Sequence, residues 1–204
     1  DNGVIFEWDP VSNIYIVKHE FDWTNGGTPY GSLTLFAGKL YGMASGGGAN
    51  GVGVIFEWDT TTNTYTKKYD FDWNVPKNGH FPMGNLTLEG NKFYGLTSDG
   101  GTGGAGVIFE WDPGLNVYTK KIDLGNGNGC TFPFASNLAV YGGKFYGTTF
   151  YGGTAGSGVI FEWDPAINSI ALKFLDFNSI NGAFPAGTIT LSGGQFYGIT
   201  SEGG

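Results

Sequence analysis

Apolar and polar positions alternate along Gly3–Asp9, where Val4, Phe6 and Trp8 interleave with Ile5 and Glu7, and the pattern resumes at Ile14–Lys18 after a Pro-Val-Ser-Asn break. Two such runs separated by four turn-forming residues predict a β-hairpin. With Pro10–Asn13 as the loop, Trp8 faces Tyr15 and Phe6 faces Val17. Glu7 then lies beside Ile16 and diagonal to Lys18, whereas a slip of one residue would mix the two faces. The same register sets Trp58 against Tyr65, and Glu57 against Thr66 near Lys68. The Asp and Asn residues flanking the loop are expected to bond local backbone amides. No segment carries a sustained helical period.

The hairpin recurs. Gly-Val-Ile-Phe-Glu-Trp-Asp opens at Gly3, Gly53, Gly106 and Gly158, a period of about 50 residues. Asn13, Asn63, Asn116 and Asn168 keep step, as do Lys18, Lys68, Lys121 and Lys173. So do Pro29, Pro82, Pro133 and Pro185, and each unit closes on Leu/Phe-Tyr-Gly at Tyr41, Tyr94, Tyr146 and Tyr197. The chain 1–204 therefore divides into units 1–52, 53–105, 106–157 and 158–204 of one repeat domain. In the second unit the pattern predicts strands at Val54–Trp58, Tyr65–Phe71, Asn85–Leu88 and Lys92–Thr97. Four short antiparallel strands per unit match a propeller blade, whereas a β-helix coil has a shorter period and parallel strands. The expected fold is all-β and β-propeller-like, with four tandem four-stranded antiparallel blades.

Composition narrows the function. The 204 residues include 38 Gly with no Gly-X-Y period, so the glycines punctuate strands. There are ten Lys, no Arg and a net charge of −8, which excludes the basic footprint of a nucleic-acid binder. No apolar run approaches the roughly 20 residues of a membrane-spanning helix, so no membrane insertion is expected. The single Cys130 has no partner for a disulfide within the chain. The sequence starts at Asp1 without a leader and reads as a processed form or an excerpt.

The run KFYGLTSDGGTGGAGVIFEWDP, followed by NVYTKKIDL and an FP…NL segment, resembles the GloVer tandem repeat of large secreted bacterial proteins. It is more distantly similar to kelch blades, which share the Gly-Gly doublet and an Asp-Pro hairpin before an aromatic. The resemblance covers all four units. It implies an extracellular or cell-surface protein with a propeller-type fold, and it brings no catalytic residues. Trp after Glu, the irregular GNGNGCTFP of the third unit and the lack of a sorting signal depart from the pattern.

Each chemical candidate has a structural counterpart. The Gly-x-Gly-x-x-Gly matches at Gly46 and Gly101 open strands, whereas a phosphate cradle needs a helix behind it. Glu7, Glu57, Glu110 and Glu162 form a carboxylate column, but repeat symmetry makes their environments alike, and acid–base pairs need distinct ones. They are read as cross-strand, solvent-exposed partners of the Lys column. Asp9 with Asn13 is explained by turn geometry without calcium. His19, His80 and Cys130 fall in unmatched columns and form no nucleophile or zinc pattern. No enzyme activity, cofactor or metal is expected. Trp8, Trp58, Trp111 and Trp163 are expected to be buried structural positions, while Trp23 and Trp73 lie in loops suited to glycan or inter-unit contact. Asn85 of Asn-Leu-Thr and Thr60 of Asp-Thr-Thr are candidate glycosylation positions. Joining the last unit to the first preserves the period, which allows either a closed four-blade ring or continuation into a longer array. The sequence-based reading is an extracellular structural or adhesive repeat protein that self-associates head-to-tail into a fibre or longer propeller array. The alternative is a carbohydrate-binding propeller module using loop aromatics.

Overall fold

In the computed structural model, residues 2–125, 127, 129–134, 136–174 and 177–204 are described. Asp1 and two residues of the irregular GNGNGCTFP segment, Asn126 and Asn128, lie outside this set. The chain opens with a two-stranded sheet, β1 (Val4–Asp9) and β2 (Ile14–Glu20). Next comes a four-stranded sheet of β3 (Thr34–Phe36), β4 (Lys39–Ala44), β5 (Val54–Asp59) and β6 (Thr64–Asp70). The second such sheet holds β7 (Thr87–Glu89), β8 (Lys92–Thr97), β9 (Val107–Asp112) and β10 (Val117–Asp123). A short β11 (Cys130–Thr131) precedes the third, built from β12 (Ala139–Tyr141), β13 (Lys144–Thr149), β15 (Val159–Asp164) and β16 (Ser169–Phe174). Between them β14 (Tyr151–Gly152) pairs with β11. The chain ends with β17 (Ala183–Pro185), β18 (Thr190–Ser192), β19 (Gln195–Tyr197) and β20 (Thr200–Glu202), paired as β17–β20 and β18–β19.

Antiparallel strands are found where the alternation predicts them, but the sheets are framed differently. Each complete blade joins the closing hairpin of one repeat to the opening hairpin of the next, so β3 and β4 of the first unit pair with β5 and β6 of the second. The described residues therefore hold three complete blades and two half-blades in place of four whole ones. The cause is connectivity: a Gly-rich loop brings β5 directly back along β4, whereas a long loop separates β6 from β7.

The opening hairpin has the expected register, with Trp8 opposite Tyr15, Phe6 opposite Val17 and Glu7 opposite Ile16. A bulge between Ile5 and Phe6 recurs in all four copies. The turn Asp behaves as expected: Asp9 accepts the Val11 amide at 2.8 Å, and Asp59 the Thr61 amide at 2.9 Å. The turn Asn works differently, with its backbone left-handed (φ 49–57°). Its side-chain oxygen accepts the indole N–H of the strand Trp, at 3.1 Å for Trp8 to Asn13 and 3.2 Å for Trp111 to Asn116. Asn13, Asn116 and Asn168 thus each make the reversal and anchor the strand Trp.

Packing runs between blades. Phe71 of one blade meets Phe109 and Tyr118 of the next at 5.7 and 5.6 Å between ring centroids, and Tyr69 stacks on Tyr118 at 4.4 Å. Among the inner strands, Thr34 Oγ1 donates to the Leu86 carbonyl at 2.7 Å, and Thr87 Oγ1 repeats this to Leu138 at 2.6 Å. Within each blade the Gly of Leu/Phe-Tyr-Gly lies under a Phe ring. A Cβ on Gly42 would approach Phe56 Cζ to 2.6 Å and one on Gly147 would approach Phe161 Cζ to 2.7 Å, while Gly95 is covered by Phe109 in the same way.

Candidate functional site

Three members of the glutamate column occupy one repeated site. Glu57 on β5 accepts Lys39 Nζ at 2.7 Å and the Tyr41 hydroxyl at 3.0 Å from β4, with Lys68 Nζ of β6 at 3.5 Å. Glu110 is held by Lys92 (2.6 Å), Tyr94 (2.9 Å) and Lys121 (3.5 Å). Glu162 is held by Lys144 (2.8 Å), Tyr146 (2.8 Å) and Lys173 (3.1 Å). The Glu–Lys pairing across the hairpin is as the sequence suggests, but the expectation of solvent exposure is wrong for these sites. Glu57 and Glu162 are buried, because the closing hairpin of the preceding repeat covers them. That hairpin supplies the Lys39 and Tyr41 columns, which sequence reasoning missed although both recur in the repeat.

Electrostatics follow from the geometry. Burial opposes ionisation of Glu57 and Glu110, but hydrogen bonds from Lys and Tyr outweigh it and lower both carboxyls below the usual value. Glu162 is lowered to about 2, chiefly by the hydrogen bond from Lys144. Burial and the hydrogen bond to Glu57 push the Tyr41 hydroxyl up to about 12. Every carboxylate in these three sites is locked in the same charged state by the same partners.

Glu7 is different. Its partner is Lys18 at 3.2 Å, and its side chain is 58% exposed. The strand residues beside it are exposed as well: Phe6 at 58% and Trp8 at 53%, against 2% for Phe56 and 3% for Trp58. Trp58, Trp111 and Trp163 are buried as expected; Trp8 is not, because no inner hairpin pairs with β1 and no further blade packs on its face among the described residues. At the other end, β19 pairs only with β18 among the described residues. Tyr197 is 57% exposed, and its hydroxyl donates to Gln195 Oε1 at 3.1 Å in place of a glutamate. A cleft of ≈ 390 Å³ bordered by Val4, Phe6, Gly42 and Phe56 lies beside β1. A second, of ≈ 220 Å³, lies between Ile160 and Gly198 beside β19.

The remaining candidates are scattered. Trp23 is about half exposed, in a left-handed turn over Gly27 and Gly46. Trp73 is about half exposed and packs on His80 at 4.4 Å, while His19 stacks on Tyr65 at 4.0 Å. Burial lowers the pKa of both histidines. Asn85 is half-buried between blades, its side-chain oxygen accepting the Ser32 amide at 2.6 Å. Thr60 is exposed in the β5–β6 turn. Cys130 is buried, which pushes its thiol up to about 12. Among the described residues, no cluster of three His, Cys, Asp or Glu side chains could hold a metal, and no helix is long and apolar enough to cross a membrane.

The repeat columns that build this site span the whole chain, and the sequence model of the Gloeobacter/Verrucomicrobia repeat matches residues 1–204. The chain belongs to that repeat family. No curated protein matches it. Among solved structures it is similar to TolB from Acinetobacter baumannii, with a TM-score of 0.57 and 16% identity over 96% of this chain and 45% of that one. The tricorn protease matches with a TM-score of 0.49 and 14% identity over 87% of this chain and 15% of the other. A puromycin-hydrolysing peptidase of Mycobacterium tuberculosis matches at 0.45 and 13%, over 71% and 21%. This chain spans less than half the length of each of these proteins. At such identity the likeness to TolB shows fold alone. This family member is an all-β repeat protein of β-propeller-like fold.

Proposed function

We propose that the chain is a non-catalytic structural or adhesive repeat protein of the cell exterior, whose units assemble head-to-tail into a fibre or longer propeller array. The observation that carries this reading is the pair of half-blades: the chain presents an outer hairpin with one open edge and an inner hairpin with the other. A stacked repeat buries its apolar faces only against neighbours. The lack of catalysis rests on the glutamate sites, where identical Lys and Tyr partners leave no acid–base pair with separated pKa values. Placement outside the cell rests on the kind of protein in which such repeats occur, and surface proteolysis of intact cells tests it. Light scattering across a hundredfold concentration range tests assembly: mass rising in steps of one chain supports an array, and a constant monomer mass overturns it.

Carbohydrate binding is the second reading, favoured by the half-exposed Trp73 ring against His80. Glycan-array binding lost on Trp23→Ala or Trp73→Ala would support it.

A further inference from the structure

We infer that β18–β19 of one chain and β1–β2 of a second copy form one shared four-stranded blade, with β19 paired antiparallel to β1. This rests on the array reading above and identifies the partner surface. The register follows from the complete blades, in which Tyr41 faces Glu57, Gly42 faces Phe56 and Ala44 faces Val54; β8–β9 and β13–β15 repeat it. Transferred to the open edges, it sets Tyr197 against Glu7, Gly198 against Phe6 and Thr200 against Val4.

Each half lacks what the other presents. In every complete blade a Phe ring covers the Gly of the inner strand, but the position of a Cβ on Gly198 meets only Ile189, at 3.2 Å. Phe6 is the ring without a glycine, and it is exposed. Glu7 has the Lys18 half of its cage and lacks the Tyr half. Tyr197 has the hydroxyl and lacks the glutamate. In one complete blade the Thr97 hydroxyl of the inner strand accepts the amide of the opening Val107 at 3.1 Å. Thr200 and Val4 are the corresponding pair. Both clefts fit the same scheme: the one beside β1 is the space an inner hairpin fills, and the one beside β19 is the space an outer hairpin fills. The occupant proposed is a second copy, because the two open edges are complementary to each other and, among the described residues, β19 and β1 are not paired.

Two singly substituted chains test the pairing, Val4→Cys and Thr200→Cys. Directly opposed antiparallel residues lie within disulfide reach in either type of pair, and the buried Cys130 does not compete. Under mild oxidation the mixture is expected to give a disulfide-linked dimer, whereas Val4→Cys mixed with Gln195→Cys is not. Phe6→Ala, at an exposed position, leaves the fold intact by circular dichroism and weakens self-association at least about tenfold. Assembly by light scattering without the 4–200 crosslink would overturn this interface and leave the array reading standing. A monomer at every concentration would overturn both. A crosslink formed only within the doubly substituted chain would replace the second copy by ring closure.

Discussion

At the residue scale, one glutamate type in one motif has two energetic roles. Glu57 is enclosed by Lys39, Tyr41 and Lys68, so Glu57→Gln removes the charge that two ammonium groups and a hydroxyl address. The expected loss of stability is about 1–3 kcal/mol. Glu7→Gln touches an exposed pair and is expected to cost under about 1 kcal/mol in the isolated chain. Urea denaturation of the two variants checks the contrast; equal losses would show that the cage contributes nothing. The pH dependence has a definite sign. The folded pKa values of Glu57, Glu110 and Glu162 lie below the 4.5 ordinary for a glutamate carboxyl. The stability they contribute is therefore fully present above about pH 4.5 and is lost as pH falls through the folded values, reaching about 2 for Glu162. Melting temperatures between pH 6 and pH 2 are expected to fall in that window, and to fall less in Glu162→Gln.

At the element scale, the hairpins were legible because their determinants are local: alternation, a four-residue turn and an Asn that tolerates positive φ all lie within one short segment. The bulge after Ile5 left no sequence mark that separates it from regular strand. Blade framing was also hidden, because a tandem period can be cut anywhere without changing the repeat, and only loop reach decides which hairpins pair. Hence identical Phe-Glu-Trp segments differ in burial, and the Lys39–Tyr41 half of the glutamate cage was missed. The frame makes a testable distinction between equivalent tryptophans. Trp111→Ala, at a fully buried position, is expected to cost about 3–5 kcal/mol. Trp8→Ala is expected to cost well under half of that, since its ring is half exposed in the single chain. Thermal melts of the two variants at low protein concentration check it.

At the scale of the whole molecule, three complete blades are flanked by two halves whose missing parts correspond. The family match and the repeated columns were legible in the sequence, but the open edges were not, since nothing in their residues differs from those of a paired strand except Gln195 where the other repeats have Lys. The array account makes both edges concentration-dependent. Amide hydrogen exchange resolved to residues 4–9 and 195–200 tests this most directly. The account expects protection of both segments to rise together as protein concentration increases, while β5, β9 and β15 stay protected throughout. Edges that exchange equally fast at every concentration would contradict it.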